Sequence, residues 1–262
     1  MRKYLTLILS LLALMCALCV SALAEAPEPE QAAGKLYIKT IDEIDILEAQ
    51  RLAEAQDAQS PVNTENWEAA KRTLKQGIRE MQGSIDISQY EIPEASILKF
   101  YLEAIFESPE LFYVVSACSY TYIPSSSGRI ISSVSPCYTV NGSDRVDRLT
   151  DEDKQEIRQQ QTVLEQKLAE IMQEVRSDCS DLTKAMYLHD YIAVHCEYDS
   201  TLTFRDAYRM LINGTGVCQG YMLAYRLLLN RAGVTSSWVQ SDSLRHVWSL
   251  VQLDGAWYHV DV

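Results

Sequence analysis

Three side chains in the last fifth of this 262-residue chain have the types and order of a nucleophilic triad: Cys218, His246 and Asp261. A cysteine attacks as its thiolate. It therefore needs a base to take its proton and an acid to hold that base in place. Cys218 follows the glycine-rich turn Asn213-Gly214-Thr215-Gly216-Val217 and precedes an apolar-rich stretch that ends at Gly233. That pattern puts it in the first turn of a helix, where the dipole and free amides favour a thiolate. The same amides can hold a tetrahedral oxyanion. The plain alternative is one more core thiol, since free cysteine is commonly buried.

The register of a hairpin selects the partners. Asp254-Gly255 between the runs 246–253 and 256–262 is a strong signal for a two-residue type I′ turn. Leu253 then faces Ala256, Leu250 faces His259 and Trp248 faces Asp261. His246 lies diagonal to Asp261 on one face, at about 7–8 Å between backbones, which two side chains can bridge. Asp261 can so fix the tautomer and orientation of His246. His259 shares the face but sits deeper, and reads as a packing or hydrogen-bonding residue. His189 and His195 are off the three- or four-residue spacing of a helical ligand pair. Trp248 and Trp257 could wall a pocket, but at alternating strand positions large aromatics are more often core.

Several elements must position these groups. A helix 67–81 is capped by Asn63 or Thr64 and stopped near Gly83. Another starts at Pro93, carries Ile97, Phe100, Tyr101, Ala104 and Ile105 at helical spacing, and ends at Ser108-Pro109. Strands 111–123 and 129–140 follow, joined across Ser125-Ser126-Ser127-Gly128. A loop centred on Ser127/Gly128 would set Cys118 opposite Cys137, which leaves a cross-strand disulfide or two sheet thiols as open readings. Asn141-Gly142-Ser143-Asp144 breaks the pattern. Thr150 then caps a long helix with acids in its first turn and a stripe of Ile157, Leu164, Leu168, Ile171 and Val175. A helix 182–195 and a short helical turn 206–211 lead to the glycine-rich loop.

Bulk properties exclude some functions. Net charge is −13 and hydrophobic content 47%, so the chain reads as globular and offers no clustered cations for nucleic acid. Residues 1–24 have a positive start at Arg2 and Lys3, an apolar run and the small residues Ala22-Leu23-Ala24, the layout of a cleaved export signal. The expected location is secreted or cell-surface, with no stable membrane span after cleavage. Cys16 and Cys19 belong to that segment, and five cysteines remain beyond it. An odd number leaves one thiol unpaired, and no cysteine or histidine spacing suits zinc. Residues 25–34 read as a linker, 35–145 as an N-terminal α+β region, and 146–262 as the domain with the triad.

Val217-Cys218-Gln219-Gly220-Tyr221, His246-Val247-Trp248 and Asp254-Gly255-Ala256-Trp257-Tyr258-His259-Val260-Asp261-Val262 together resemble the core of the transglutaminase-like superfamily, most closely its exported bacterial members. The likeness runs over roughly 184–262; Pro109-Glu110-Leu111-Phe112-Tyr113 resembles a leader region of some such proteins. It implies an α+β, papain-like fold in which a cysteine-bearing helix packs on an antiparallel sheet. It also implies Cys218 as nucleophile, His246 as base and acid, and Asp261 as orienting residue, with no metal or organic cofactor. Protein or peptide amides, some of them cell-wall associated, are the implied substrates for acyl transfer or hydrolysis. Val247 and Ser249 stand where the family usually has Ala and Asn. The family also continues beyond the aspartate, so the domain is expected to be C-terminally incomplete. The rival expectation is a fold-retaining surface module that binds without catalysis.

Overall fold

The computed structural model describes residues 63–262 except 127 and 242, together with the backbone of 37–41. The expected signal segment and the linker at 25–34 lie outside the described residues. The architecture is α+β, and residues 36–262 form one compact unit.

The first part pairs helices with a meandering sheet. In α1 (Thr64–Arg79) the Asn63 side chain accepts from the Glu65 amide at 3.0 Å, which satisfies an orphan donor of the first turn. Trp67, Ala70, Leu74 and Ile78 form its buried stripe, and Trp67 meets Phe100 of α2 (Ile97–Phe106) edge to face. The sheet is β1 (Tyr37–Ile41), β2 (Ile85–Asp86), β3 (Val114–Ser125) and β4 (Gly128–Tyr138), in the spatial order β1-β3-β4-β2. The β3–β4 turn closes one residue earlier than expected, with Ser125 paired to Gly128. Counted from that turn Cys118 would face Ser135, and the register shift at Thr121/Tyr122 moves it one residue on, opposite Pro136 rather than Cys137. Both cysteines are buried thiols and no disulfide joins them, so the cross-strand bridge is not made. The placement of the turn within a run of serines carries no strong local signal, and a bulge then shifts the register again.

The second part opens with α3 (Asp151–Glu174), whose Thr150 and Asp153 form a reciprocal capping box. Ile157, Leu164, Leu168 and Ile171 are buried along it, while Val175 is only partly so. Next, α4 (Asp181–His195) buries Ala185, Leu188 and Ile192. The helix α5 (Cys218–Ala232) is buried at every position from Met222 to Leu229, which marks it as the central core helix. Gly233 ends it with φ 75°, a conformation open to glycine at little cost.

Against α5 lies a second antiparallel sheet of β7 (Ser236–Ser241), β8 (His246–Leu253) and β9 (Ala256–Val260). Its hairpin has the register read from Asp254-Gly255, with Leu253 on Ala256 and Leu250 on His259. The core is continuous through residues before and after 145. Phe106 meets Trp238 edge-on at 4.9 Å, and Phe112 stacks on Tyr208 at 4.7 Å. Buried Arg226 of α5 donates to the Phe106 carbonyl and, at 3.4 Å, to that of Ser236. No helix among the described residues is long and apolar enough to cross a membrane.

Candidate active site

Two glycines shape the approach to Cys218. After α4, β5 (Glu197–Tyr198) pairs in parallel with β6 (Thr215–Gly216), immediately ahead of the cysteine. Gly214 has φ 70°, and a Cβ there would lie 3.0 Å from the His195 carbonyl oxygen. At Gly216 a Cβ would stand 2.9 Å from the Met210 sulfur and 3.3 Å from the Phe204 carbonyl. The first glycine supplies a left-handed turn and both allow close backbone approach. The Val217 amide then donates to Phe204 O at 2.9 Å. Cys218 follows as the first residue of α5, partly buried, and no side chain caps the helix. Its first-turn amides have no intrahelical acceptor, and the first helical bond is Tyr221 N–H to Val217 O at 3.1 Å.

Asp199 holds the loop beneath this turn, a role the sequence reading missed. Its carboxylate accepts from the amides of Thr201, Thr203 and Phe204 at 2.9, 2.8 and 2.9 Å, and from the Thr201 hydroxyl at 2.6 Å. Its own amide donates to Gly216 O at 3.0 Å. Asp-Ser-Thr is an Asx-turn signature and was the available signal. The bond from Thr201, with those from Phe204 and Thr203, holds the carboxyl down at about 2. The unfolded chain therefore binds the proton first, so this contribution is complete above the ordinary carboxylate range of about 3.9 and fades as pH falls toward 2. Urea midpoints between pH 5 and about 2 should fall less steeply for Asp199→Asn than for the wild type; parallel curves would contradict this.

The hairpin brings His246 and Asp261 together. His246 Nε2 lies 2.8 and 3.0 Å from the two Asp261 carboxylate oxygens. With Nε2–H donating, the lone pair sits on Nδ1, the nitrogen left to act as base. The imidazole also stacks near Trp248, 5.5 Å between ring centres. Trp248 Nε1 in turn donates to His259 Nδ1 at 2.9 Å, which ties His259 into the support of this face. Along β8, Val247, Ser249 and Val251 are buried, whereas His246, Trp248 and Leu250 are half-exposed. Among the described residues no hydrogen bond joins Cys218 to His246, so the structure pairs His246 with Asp261 but not with the thiol.

Two of the other thiols, Cys118 and Cys196, are poor nucleophiles. Burial, with the neighbouring Cys137, pushes Cys118 far up. Burial likewise raises Cys196 to about 11, and its sulfur donates to Met210 O at 3.2 Å. His189 contacts Asp190, and His195 contacts the Tyr191 carbonyl, so neither faces a ligand partner. No group of three or more His, Cys, Asp or Glu among the described residues is placed to hold a metal ion.

Cys218 thus stands at the start of the core helix, and the His246–Asp261 pair lies on the antiparallel sheet packed against that helix. Residues 154–262, which contain all three, match the family model described as Transglutaminase-like superfamily. This segment is a transglutaminase-like domain. A solved structure described as "Crystal structure of a TGase" is similar at 12% identity, with a TM-score of 0.34 over 54% of this chain and 43% of that one. The chain thus spans less than half the length of that structure's chain. Comparison with curated proteins gave no match.

Proposed function

We propose that the domain catalyses thiol-dependent acyl transfer or hydrolysis at protein or peptide amides. The observation that carries this reading is the His246–Asp261 pair, which leaves Nδ1 as the basic nitrogen within a transglutaminase-like domain. Nδ1 takes the Cys218 proton, and the thiolate adds to the carbonyl of a carboxamide or peptide. First-turn amides of α5 receive the oxyanion. The imidazolium then protonates the departing amine or ammonia, leaving a thioester on Cys218. An amine resolves the thioester to a new amide, and water resolves it to an acid. Catalytic hydrogen bonds missing from a substrate-free site form when substrate is bound, which fits the unmade Cys218–His246 contact.

The test is incubation of the protein with a glutamine-rich protein and a labelled primary amine, with mass spectrometry of the products. Amine incorporation identifies transfer, while deamidation or backbone cleavage without incorporation identifies hydrolysis. Neither reaction above the uncatalysed background would refute the proposal. That same unmade contact, with Asp261 61% exposed, favours a second reading: a binding module that keeps the fold without turnover. It predicts substrate capture with no covalent adduct at Cys218 when a thiol-reactive glutamine analogue is supplied.

A further inference from the structure

The face of the β8–β9 hairpin that carries His246 repeats one contact twice. Leu250 pairs with His259, so His259 stands diagonal to Trp248. Two residues further out, Asp261 stands in the same relation to His246. Each diagonal is a hydrogen bond. His246 Nε2 meets the Asp261 carboxylate at 2.8 and 3.0 Å, and Trp248 Nε1 donates to His259 Nδ1 at 2.9 Å. The two rings that begin these rungs are stacked, with 5.5 Å between centres and 21° between planes.

The Asp261 rung restrains only part of His246. Both carboxylate oxygens meet the same ring nitrogen, so they fix the place of Nε2 and the tautomer. The plane of the ring is left to the last side-chain torsion, whose wells are broad in histidine and tryptophan. That plane aims the lone pair of Nδ1. Asp261 is exposed and His246 half-exposed, so a second restraint has to come from the neighbouring ring. The near-parallel stack on Trp248 supplies it.

Trp248 is itself half-exposed on the strand, and its indole has a single polar atom, which can only donate. The bond to His259 holds that atom and with it the indole plane. Since the indole donates, His259 Nδ1 is the bare nitrogen and its neutral ring carries the proton on Nε2. His259 is exposed, so its side chain adds little to the stability of the fold. Its reach is toward the ring beside it.

We infer that His259 is a positioning residue for His246, acting through the plane of Trp248. The inference rests on His246 being the base of the proposed Cys218 chemistry, so it is tested with turnover and without it. His259→Leu deletes the acceptor, whereas His259→Asn returns an amide oxygen near the place of Nδ1. In the labelled-amine assay, His259→Leu should lower kcat by about tenfold to a hundredfold with KM within about twofold, and His259→Asn should recover to within about threefold of the wild type. Once Trp248→Phe has removed the donor, adding His259→Leu should change kcat no further. Unfolding midpoints of both His259 variants should stay near that of the wild type.

Proton NMR reads the stack without turnover, with four histidines in the chain to assign. In the wild type the His246 ring protons should lie upfield of their positions in Trp248→Ala, through the ring current of the indole. They should move toward those positions in His259→Leu and return in His259→Asn. Unmoved ring signals, wild-type kcat in His259→Leu, or no recovery in His259→Asn overturns the inference. A loss of kcat matched by a fall in the unfolding midpoint makes His259 a structural residue and overturns it too. An inactive wild type whose ring signals follow the expected pattern would instead overturn the catalytic reading and leave the positioning contact standing.

Discussion

Cys218→Ala is expected to reduce amine incorporation or amide cleavage to background, a loss of about 10⁵–10⁶-fold, the size found when a triad nucleophile is removed. Alanine takes away the sulfur that forms the thioester, and burial raises the thiols of Cys118 and Cys196. Cys196→Ala should keep activity within about threefold, as its sulfur serves only a weak bond to Met210 O. Thermal unfolding of Cys218→Ala should stay near the wild type, because the position is only partly buried at the start of α5. At neutral pH iodoacetamide should label Cys218 before Cys196, whose thiol titrates at about 11. Turnover that survives in Cys218→Ala, or label found first on Cys196, would remove the cysteine from its assigned role.

The site was legible in sequence wherever local chemistry dictates geometry. Asp254-Gly255 demands a two-residue turn, and from it alone the pairing of Leu250 with His259 follows, with His246 beside Asp261. Gly216 and Gly233 bracket α5 and fix where Cys218 stands on it. The missing relation is that between the thiol and His246. It depends on how β8 lies against α5, a matter of sheet twist and side-chain packing that neither motif encodes. Asp199 shows a different failure: its turn signature is local, but its importance comes from bonds to Gly216 O and to a loop that receives the Val217 amide.

The fold divides along the same line. Helices α1 and α3 were readable because Asn63 and Thr150 are side-chain caps followed by periodic apolar residues, whereas the Ser180 cap of α4 was not read. Strand β7, with the sequence Ser-Ser-Trp-Val-Gln-Ser, has no clean alternation and exists by pairing with β8. The two-residue strands β5 and β6 join segments far apart in the chain and carry no propensity signal. The β3–β4 hairpin was found but misregistered, because its turn closes one residue earlier than the run of serines suggests and the bulge at Thr121/Tyr122 offsets only part of the difference.

Asp261→Asn should lower kcat/KM by about 10³–10⁴-fold, the scale of the equivalent change in serine-protease triads, mostly through kcat. The carboxylate accepts only, so it holds the proton on His246 Nε2 and the lone pair on Nδ1. An amide in its place can donate to Nε2, and the neutral ring then carries its proton on Nδ1, where it cannot take one from Cys218. Asp261→Ala removes the support without imposing the wrong tautomer, so it should be no worse than Asp261→Asn. Neither change should shift the unfolding midpoint much. With His246 32% and Asp261 61% exposed, the pair contributes at most about 1 kcal/mol to stability. A large catalytic loss with little change in stability separates an orienting acid from a structural one. Wild-type kcat in Asp261→Asn would mean that another group orients His246, and equal losses of activity and stability would mean that Asp261 serves the hairpin rather than the reaction.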